Sequence, residues 1–207
     1  MELILENLGK KYEGNWIFRN VNLSLSSGSR LLITGKNGSG KSTLAKAIAG
    51  LILPSEGKIQ YKFQSAILSE EEAYKSIQLS GPYIDLVEDF TLEEFLHFHA
   101  KFKSFHIPVN ELIELGYLVE HRAKYIRNFS SGMKQRVKLL VSLLSDVPLT
   151  ILDEPTSNLD DNGAQWYQGL VEKYGKDKTV IVCSNSPQID AQFCTQTINI
   201  EDYTAGK

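Results

Sequence analysis

An α/β fold, with a parallel sheet covered by helices on both faces and a small antiparallel β-layer beside it, is predicted by three observations. The run Arg30-Leu31-Leu32-Ile33-Thr34 is a short buried strand that gives way to a glycine-rich turn and then to the helical stretch 43–49. Residues 149–152 and 179–183 are again short, apolar and partly β-branched, the pattern of strands buried on both faces, and helical patterns lie between them. Segments 2–6, 21–25 and 58–63 are short apolar runs with Gly28 and Gly57 as turn residues, as expected of edge or antiparallel strands.

Residues 83–129 differ in character. Thr91 and Glu94 have capping-box spacing, and Leu92, Phe95, Leu96, His99 and Phe102 then share one face of the predicted helix. That face reads as core, part of which could receive a partner helix. His99 reads as a packed residue, because no second ligand stands at a fixed spacing from it. A last strand-like stretch covers 197–200, and no repeat, low-complexity tract or flexible linker interrupts the chain.

Composition narrows the function classes. A chain of 207 residues suits one well-buried domain and is too short for two nucleotide-binding modules, and 42% apolar with 23% charged residues is globular composition. With a net charge of −3 and no dense Lys/Arg block, nucleic acid is not expected as a partner. No apolar run approaches the ~20 residues that span a bilayer, and Met1-Glu2-Leu3-Ile4 lacks a signal-like core, so a cytosolic protein is expected. Cys183 and Cys194 fit neither a metal pair nor a disulfide framework and read as buried spectators.

Two elements carry chemistry by spacing alone. Gly35-Lys36-Asn37-Gly38-Ser39-Gly40-Lys41-Ser42-Thr43 matches G-x-x-x-x-G-K-[ST] in the strand-to-helix setting that the motif needs. Its glycines let successive N–H groups face phosphate oxygens at the positive end of a helix. Lys41 is expected to neutralise the β- and γ-phosphates of ATP, and Ser42 to offer its hydroxyl to Mg²⁺. The second element, Leu149-Thr150-Ile151-Leu152-Asp153-Glu154, is an apolar strand ending in two carboxylates at the sheet edge where open α/β folds bind ligands. Successive strand residues point apart, so the two acids can divide the work. Asp153 is expected to hold Mg²⁺ through its water shell, and Glu154 to orient or deprotonate the attacking water.

A third element points to a family. Phe129-Ser130-Ser131-Gly132-Met133-Lys134-Gln135-Arg136 resembles the LSGGQ signature of ABC ATPases, just upstream of the acidic strand as in that family, and Ser157-Asn158-Leu159-Asp160 resembles its D-loop. The resemblance spans the chain and implies a P-loop NTPase (RecA-like) core with a small antiparallel β-subdomain and an inserted helical subdomain. It places the core at 1–81 and 130–207 and the helical subdomain at 82–129. It further implies that Tyr12 stacks on adenine, with Trp16 as a competitor. In such proteins the signature, here Phe129 to Met133, closes on the γ-phosphate held by a second ABC ATPase subunit, so the chain is expected to work as a homo- or heterodimer. Ser130 and the N–H groups around Gly132 begin a helix through Val137, Leu140 and Leu144, an anion-binding terminus that agrees with this.

The sequence also departs from the family. Ser131 and Met133 replace the first glycine and the glutamine of the signature. Pro82 stands where the family has its Q-loop glutamine, Gln78 being four residues too early, and proline has neither an amide side chain nor an N–H. Asn185, in Ser184-Asn185-Ser186, takes the place of the switch histidine; it can donate to a γ-phosphate but cannot become cationic. Slow turnover is therefore expected, with Glu154, Lys41 and Asn185 as the catalytic set. The resemblance is to compact exporter-type cassettes of the haem-exporter or multidrug branch. It implies an ATP-hydrolysing subunit beneath an integral membrane transporter subunit, at the inner face of the membrane. A short helix of that subunit would lie in a groove near 81–105 lined by Tyr83, Ile84 and Leu86. The alternatives are a soluble ABC ATPase serving a cytosolic scaffold of the iron–sulfur type, or a weakly hydrolysing nucleotide sensor.

Overall fold

A computed structural model describes residues 1–185 and 187–204. Two long strands, β1 (Glu2–Tyr12) and β2 (Asn15–Leu25), open the chain and extend well past the apolar cores at 2–6 and 21–25. Glu13 and Gly14, both at positive φ (49° and 83°), join them, the geometry that matches a two-residue hairpin turn to strand twist. Then come β3 (Arg30–Thr34), α1 (Lys41–Ile48), β4 (Glu56–Phe63), the two-residue β5 (Ala66–Ile67), α2 (Glu70–Lys75) and β6 (Ile77–Ser80). The helical stretch contains α3 (Leu92–Ala100) and α4 (Val109–Leu115), after which α5 (Ser131–Leu144), β7 (Leu149–Asp153), α6 (Asp161–Tyr174), β8 (Thr179–Cys183), α7 (Pro187–Asp190) and β9 (Gln196–Asn199) complete the chain.

The strands form two sheets. One is antiparallel in the order β2-β1-β4-β5, and the other is parallel in the order β6-β7-β8-β3-β9. In the parallel sheet β7 and β8 are buried along their whole length, as their uninterrupted apolar runs require. One apolar core lies between the two sheets and α1, and includes Leu3, Phe18, Leu31, Ile33, Leu44 and Ile181. The other lies on the opposite face of the parallel sheet, where Leu152, Val180 and Val182 meet α3, α4, α5 and α6.

Two expectations need adjustment. Gly57 lies inside β4 and makes no turn: at φ 78° it sits at a register shift, where a Cβ would lie 2.4 Å from the carbonyl oxygens of Glu6 and Asn7. The capping box of α3 is present, with Thr91 Oγ1 accepting from Glu94 N and Thr91 N donating to Glu94 Oε2 at 2.8 Å. That helix stops at Ala100, however, so Phe102 leaves the buried face and is 73% exposed. Two further elements lie outside the expected set: β5, two residues long, and α2, whose Ser69 and Glu72 form the same capping box as Thr91 and Glu94. Gln64 and Ser65 adopt positive φ to turn β4 into β5 without a glycine.

Candidate active site

The parallel sheet order places β3 between β8 and β9 and β7 beside β8, so the loops after β3, β7 and β8 leave the same sheet edge together. The loop after β3 is Gly35 to Gly40, leading into α1. Gly40 is required by the backbone: its φ is 106°, and a Cβ there would stand 2.6 Å from Ile17 Cγ2 of the antiparallel layer. The N-terminal end of α1 is thereby pinned between the two sheets.

Lys41 is 5% exposed, and its ammonium is held at the centre of the loop. It donates to Gly35 O (2.8 Å), Lys36 O (3.2 Å) and Asn185 Oδ1 (2.6 Å), which matches the three donors of an ammonium. Glu154 Oε1 lies 3.7 Å away. Asn185 also donates through its side-chain amide to Asn37 Oδ1, and its backbone N–H donates to Glu154 Oε2 at 3.2 Å. Asn185 thus joins the phosphate loop, its lysine and the terminal glutamate.

Asp153 and Glu154 diverge as expected for consecutive residues at a strand end. Glu154 continues the ladder through its N–H to Cys183 O (2.8 Å) and then takes φ 53°, a left-handed conformation that costs a non-glycine residue of order 1 kcal/mol or more. This turn brings its carboxylate back over the loop. Burial raises the Glu154 carboxyl above the ordinary glutamate range, against the stabilising Asn185 N–H and the Lys41 charge. Asp153 is 5% exposed, and burial raises its carboxyl too, opposed by a hydrogen bond with Ser42 and by Lys41 and Lys46.

The acceptor Oδ1 of Asp153 is buried without a hydrogen-bond partner among the described residues, and the Ser42 hydroxyl bonds the same carboxyl. An orphaned carboxylate oxygen next to a hydroxyl is a donor set for a hard cation such as Mg²⁺. Gly81 runs against this acid, since a Cβ on it would be 3.1 Å from Asp153 Cβ, while Pro82 turns outward to solvent. Gln78 sits inside β6, paired with Thr150 and bonded to Leu79 O, away from the acid.

Tyr12 and Trp16 have distinct surroundings. Trp16 pairs with Lys11 across the hairpin and is flanked by Lys11 (5.3 Å) and Arg19 (4.6 Å), with its ring edge over Gly9. Tyr12 pairs with Asn15, projects to the other face, and is 48% exposed with Lys10 over its ring at 4.8 Å. Trp16 is thus enclosed by its own sheet, whereas Tyr12 is available.

In the signature segment, Ser130 is the N-cap of α5, its hydroxyl accepting from Met133 N at 3.2 Å. The N–H groups of Ser131 and Gly132 precede the first intrahelical bond, Lys134 N to Ser130 O. The Phe129 ring, 6% exposed, is turned into the helical core, so it presents backbone and no side chain to the surface. Gln135, which the signature motif does not mark for a task of its own, donates to Pro155 O at 2.7 Å and ties α5 to the loop behind Glu154. Lys138 similarly donates to Gly81 O at 3.1 Å. Cys183 is fully buried and Cys194 is pushed up to about 12 by burial, so neither is a thiolate.

A phosphate-binding loop, a strand-end acid pair and a capped signature helix on a two-sheet α/β core define a P-loop nucleotide-binding cassette. Residues 18–157 match the family model described as "ABC transporter". The chain is 31% identical to "ABC transporter I family member 1" of Arabidopsis thaliana, over 92% of this chain and 84% of that one. It is 30% identical to "Cytochrome c biogenesis ATP-binding export protein CcmA" of Agrobacterium fabrum, over 90% of each. The dimeric post-hydrolysis structure of the ATP-binding cassette MJ0796 with ADP and Pi superposes with a TM-score of 0.82 at 23% identity, covering 99% of this chain and 97% of that one. The chain belongs to the ABC transporter family, among its ATP-binding ATPase subunits.

Proposed function

We propose that this chain hydrolyses ATP slowly by itself and drives a transporter whose membrane-spanning part is another polypeptide. The convergence of Lys41, Glu154 and Asn185 on the phosphate loop carries the reading. N–H groups of residues 35–43 and the Lys41 ammonium bind the phosphates, and Tyr12 stacks on adenine. Ser42 and Asp153 would hold Mg²⁺, which when bound neutralises charge on the β- and γ-phosphates. Glu154, facing the loop, orients and deprotonates a water. That water's oxygen bonds to the γ-phosphorus as the bond to the β–γ bridging oxygen breaks. Asn185 donates a neutral hydrogen bond where a cationic histidine would give a stronger one.

The second ABC ATPase subunit follows from the exposed start of α5. Ser130, Ser131, Gly132 and Met133, with the Phe129 backbone, present donors to the ATP of a partner cassette, so each site is shared. For the membrane subunit, the support is a groove of about 380 Å³ between the β6 region and α3. Ile84, Leu79, His99 and Phe102 line it. Of the residues anticipated there, Ile84 lines it, whereas Tyr83 lies under Lys46 by a separate small cleft with Ser42 and Asp153, and Leu86 packs on the helical core. Residues 82–129 act as the helical subdomain on a core of 1–81 and 130–207, and the groove lies where the two meet. No helix among the described residues is long and apolar enough to cross a membrane. In this reading the chain sits at the cytoplasmic face through its membrane-spanning partner.

Phosphate release by wild-type protein and by Glu154→Gln tests the chemistry. Loss of a positioned base should lower kcat by about 10² or more while MgATP binding persists. Equal rates would refute the assignment. An affinity pull-down from detergent-solubilised cells tests the role: a stoichiometric multi-span partner supports transport, and soluble partners alone would move the chain to the cytosolic scaffold class.

A further inference from the structure

Behind Asn185 lies a buried polar chain that ends at Ser184, the residue before it. Asp190, in α7, is wholly buried, and its Oδ1 accepts a hydrogen bond from the Tyr167 hydroxyl at 3.0 Å. Ser184, the residue before Asn185, hydrogen-bonds the same carboxyl. Tyr167 is itself fully buried in α6, its ring edge-on to Phe193 at 5.8 Å. The next residue, Gln168, donates to Ile189 O at 3.1 Å, so α6 grips α7 at two consecutive positions. Asp160 caps α6 at its other end, accepting from Gly163 N at 2.8 Å, directly after the Ser157 to Asp160 loop.

Stability alone does not explain this cluster. A buried carboxyl is costly to desolvate, and apolar side chains of similar volume commonly do as well or better. Here one of its oxygens, Asp190 Oδ2, has no hydrogen-bond partner among the described residues. What the cluster does supply is direction. It bonds the side chain of Ser184, whose N–H is held separately by Ile33 O at 3.1 Å, and Ser184 directly precedes the residue that meets Lys41, Asn37 and Glu154.

We propose that Tyr167 and Asp190 are positioning residues of the ATPase: the Tyr167–Asp190–Ser184 chain fixes Asn185 so that its N–H holds Glu154 and its carboxamide meets Lys41. This rests on the reading of Glu154 and Asn185 given above. Neither residue touches nucleotide, and no bond to either changes in the reaction. Tyr167 acts through Asp190, Ser184 and Asn185, where a displacement of an ångström is enough to misalign an attacking water, while the Asp190 charge also bears on the Glu154 carboxyl.

The test uses the full chain and four variants, with phosphate release measured across MgATP concentrations beside thermal melting. Tyr167→Phe keeps the ring packing and removes the hydroxyl, and Ser184→Ala removes the other end of the chain. Each should lower kcat on the order of tenfold while KM for ATP stays within about twofold. Asp190→Asn still offers Tyr167 an acceptor and should retain most of the rate. Glu154→Gln separates the two readings. If Glu154→Gln abolishes turnover while Tyr167→Phe and Ser184→Ala leave kcat unchanged, the positioning role is wrong and the ATPase assignment stands. If wild-type turnover does not depend on Glu154, both are overturned. Should Tyr167→Phe fail to fold, Ser184→Ala, a smaller excision at the same chain, decides by the same kcat reading.

Discussion

Replacing Asn185 by histidine perturbs the site at one of the positions where this chain departs from the family pattern. Asn185 Oδ1 now accepts from Lys41 at 2.6 Å, its amide donates to Asn37, and its N–H reaches Glu154 at 3.2 Å. The backbone bond to Glu154 does not depend on the side chain and should survive. What changes is the side-chain bond to the transferring phosphate. A neutral hydrogen bond contributes about 1 kcal/mol and a charge-assisted one roughly twice that, so the gain in the transition state is about 1 kcal/mol. That corresponds to roughly a fivefold rise in kcat. Lys41 opposes protonation of an imidazole placed this close, but the phosphate charge between them reverses the balance once ATP is bound. The assay is steady-state phosphate release at saturating MgATP, with melting temperature as the control for folding. A slower or unchanged rate in a protein of unaltered stability would refute the reasoning that the missing cation limits turnover.

Tyr12→Ala should weaken ATP binding about 5- to 100-fold in calorimetric titration, the range for loss of one stacking aromatic, while Trp16→Ala should leave affinity nearly unchanged. The reverse ranking would assign the adenine platform to Trp16. His99 should remain neutral through the physiological range: burial, then the Lys103 charge, push it down to about 4. Its Nε2 lies 3.0 Å from Ser145 Oγ, whose own O–H is given to Val141 O, so His99 must be the donor from Nε2. Because the unfolded chain takes up this proton first, stability should fall as pH drops from about 6.5 toward 4, and His99→Gln should flatten that limb of a urea titration. A His99 ring resonance that titrates near pH 6.5 by NMR would contradict this.

Much of the site was legible in the sequence because its parts are local. The phosphate loop, the acid pair and the capped helix starts at Thr91 and Ser130 are set by residues within a few positions of one another, where glycine conformations, strand ends and N-caps have fixed chemistry. Other features left little trace. The Gln64–Ser65 turn uses positive φ without glycine, and Glu154 takes a left-handed conformation that no local signal announces. Phe102, on the expected apolar stripe, is exposed because its helix ends before it.

The sequence by itself determined the family, the two chemistry-bearing strand ends, and the departures at Pro82 and Asn185. Only the tertiary structure decided what those departures touch. The order β6-β7-β8-β3-β9 brings residues more than a hundred positions apart to one sheet edge, so that Asn185 bridges Lys41, Asn37 and Glu154, and Tyr167 reaches Asp190 from a separate helix. Spacing along a chain encodes turns, caps and periodic faces. Which strand lies beside which is fixed by packing two apolar cores at once, a property of the whole chain that no single motif contains.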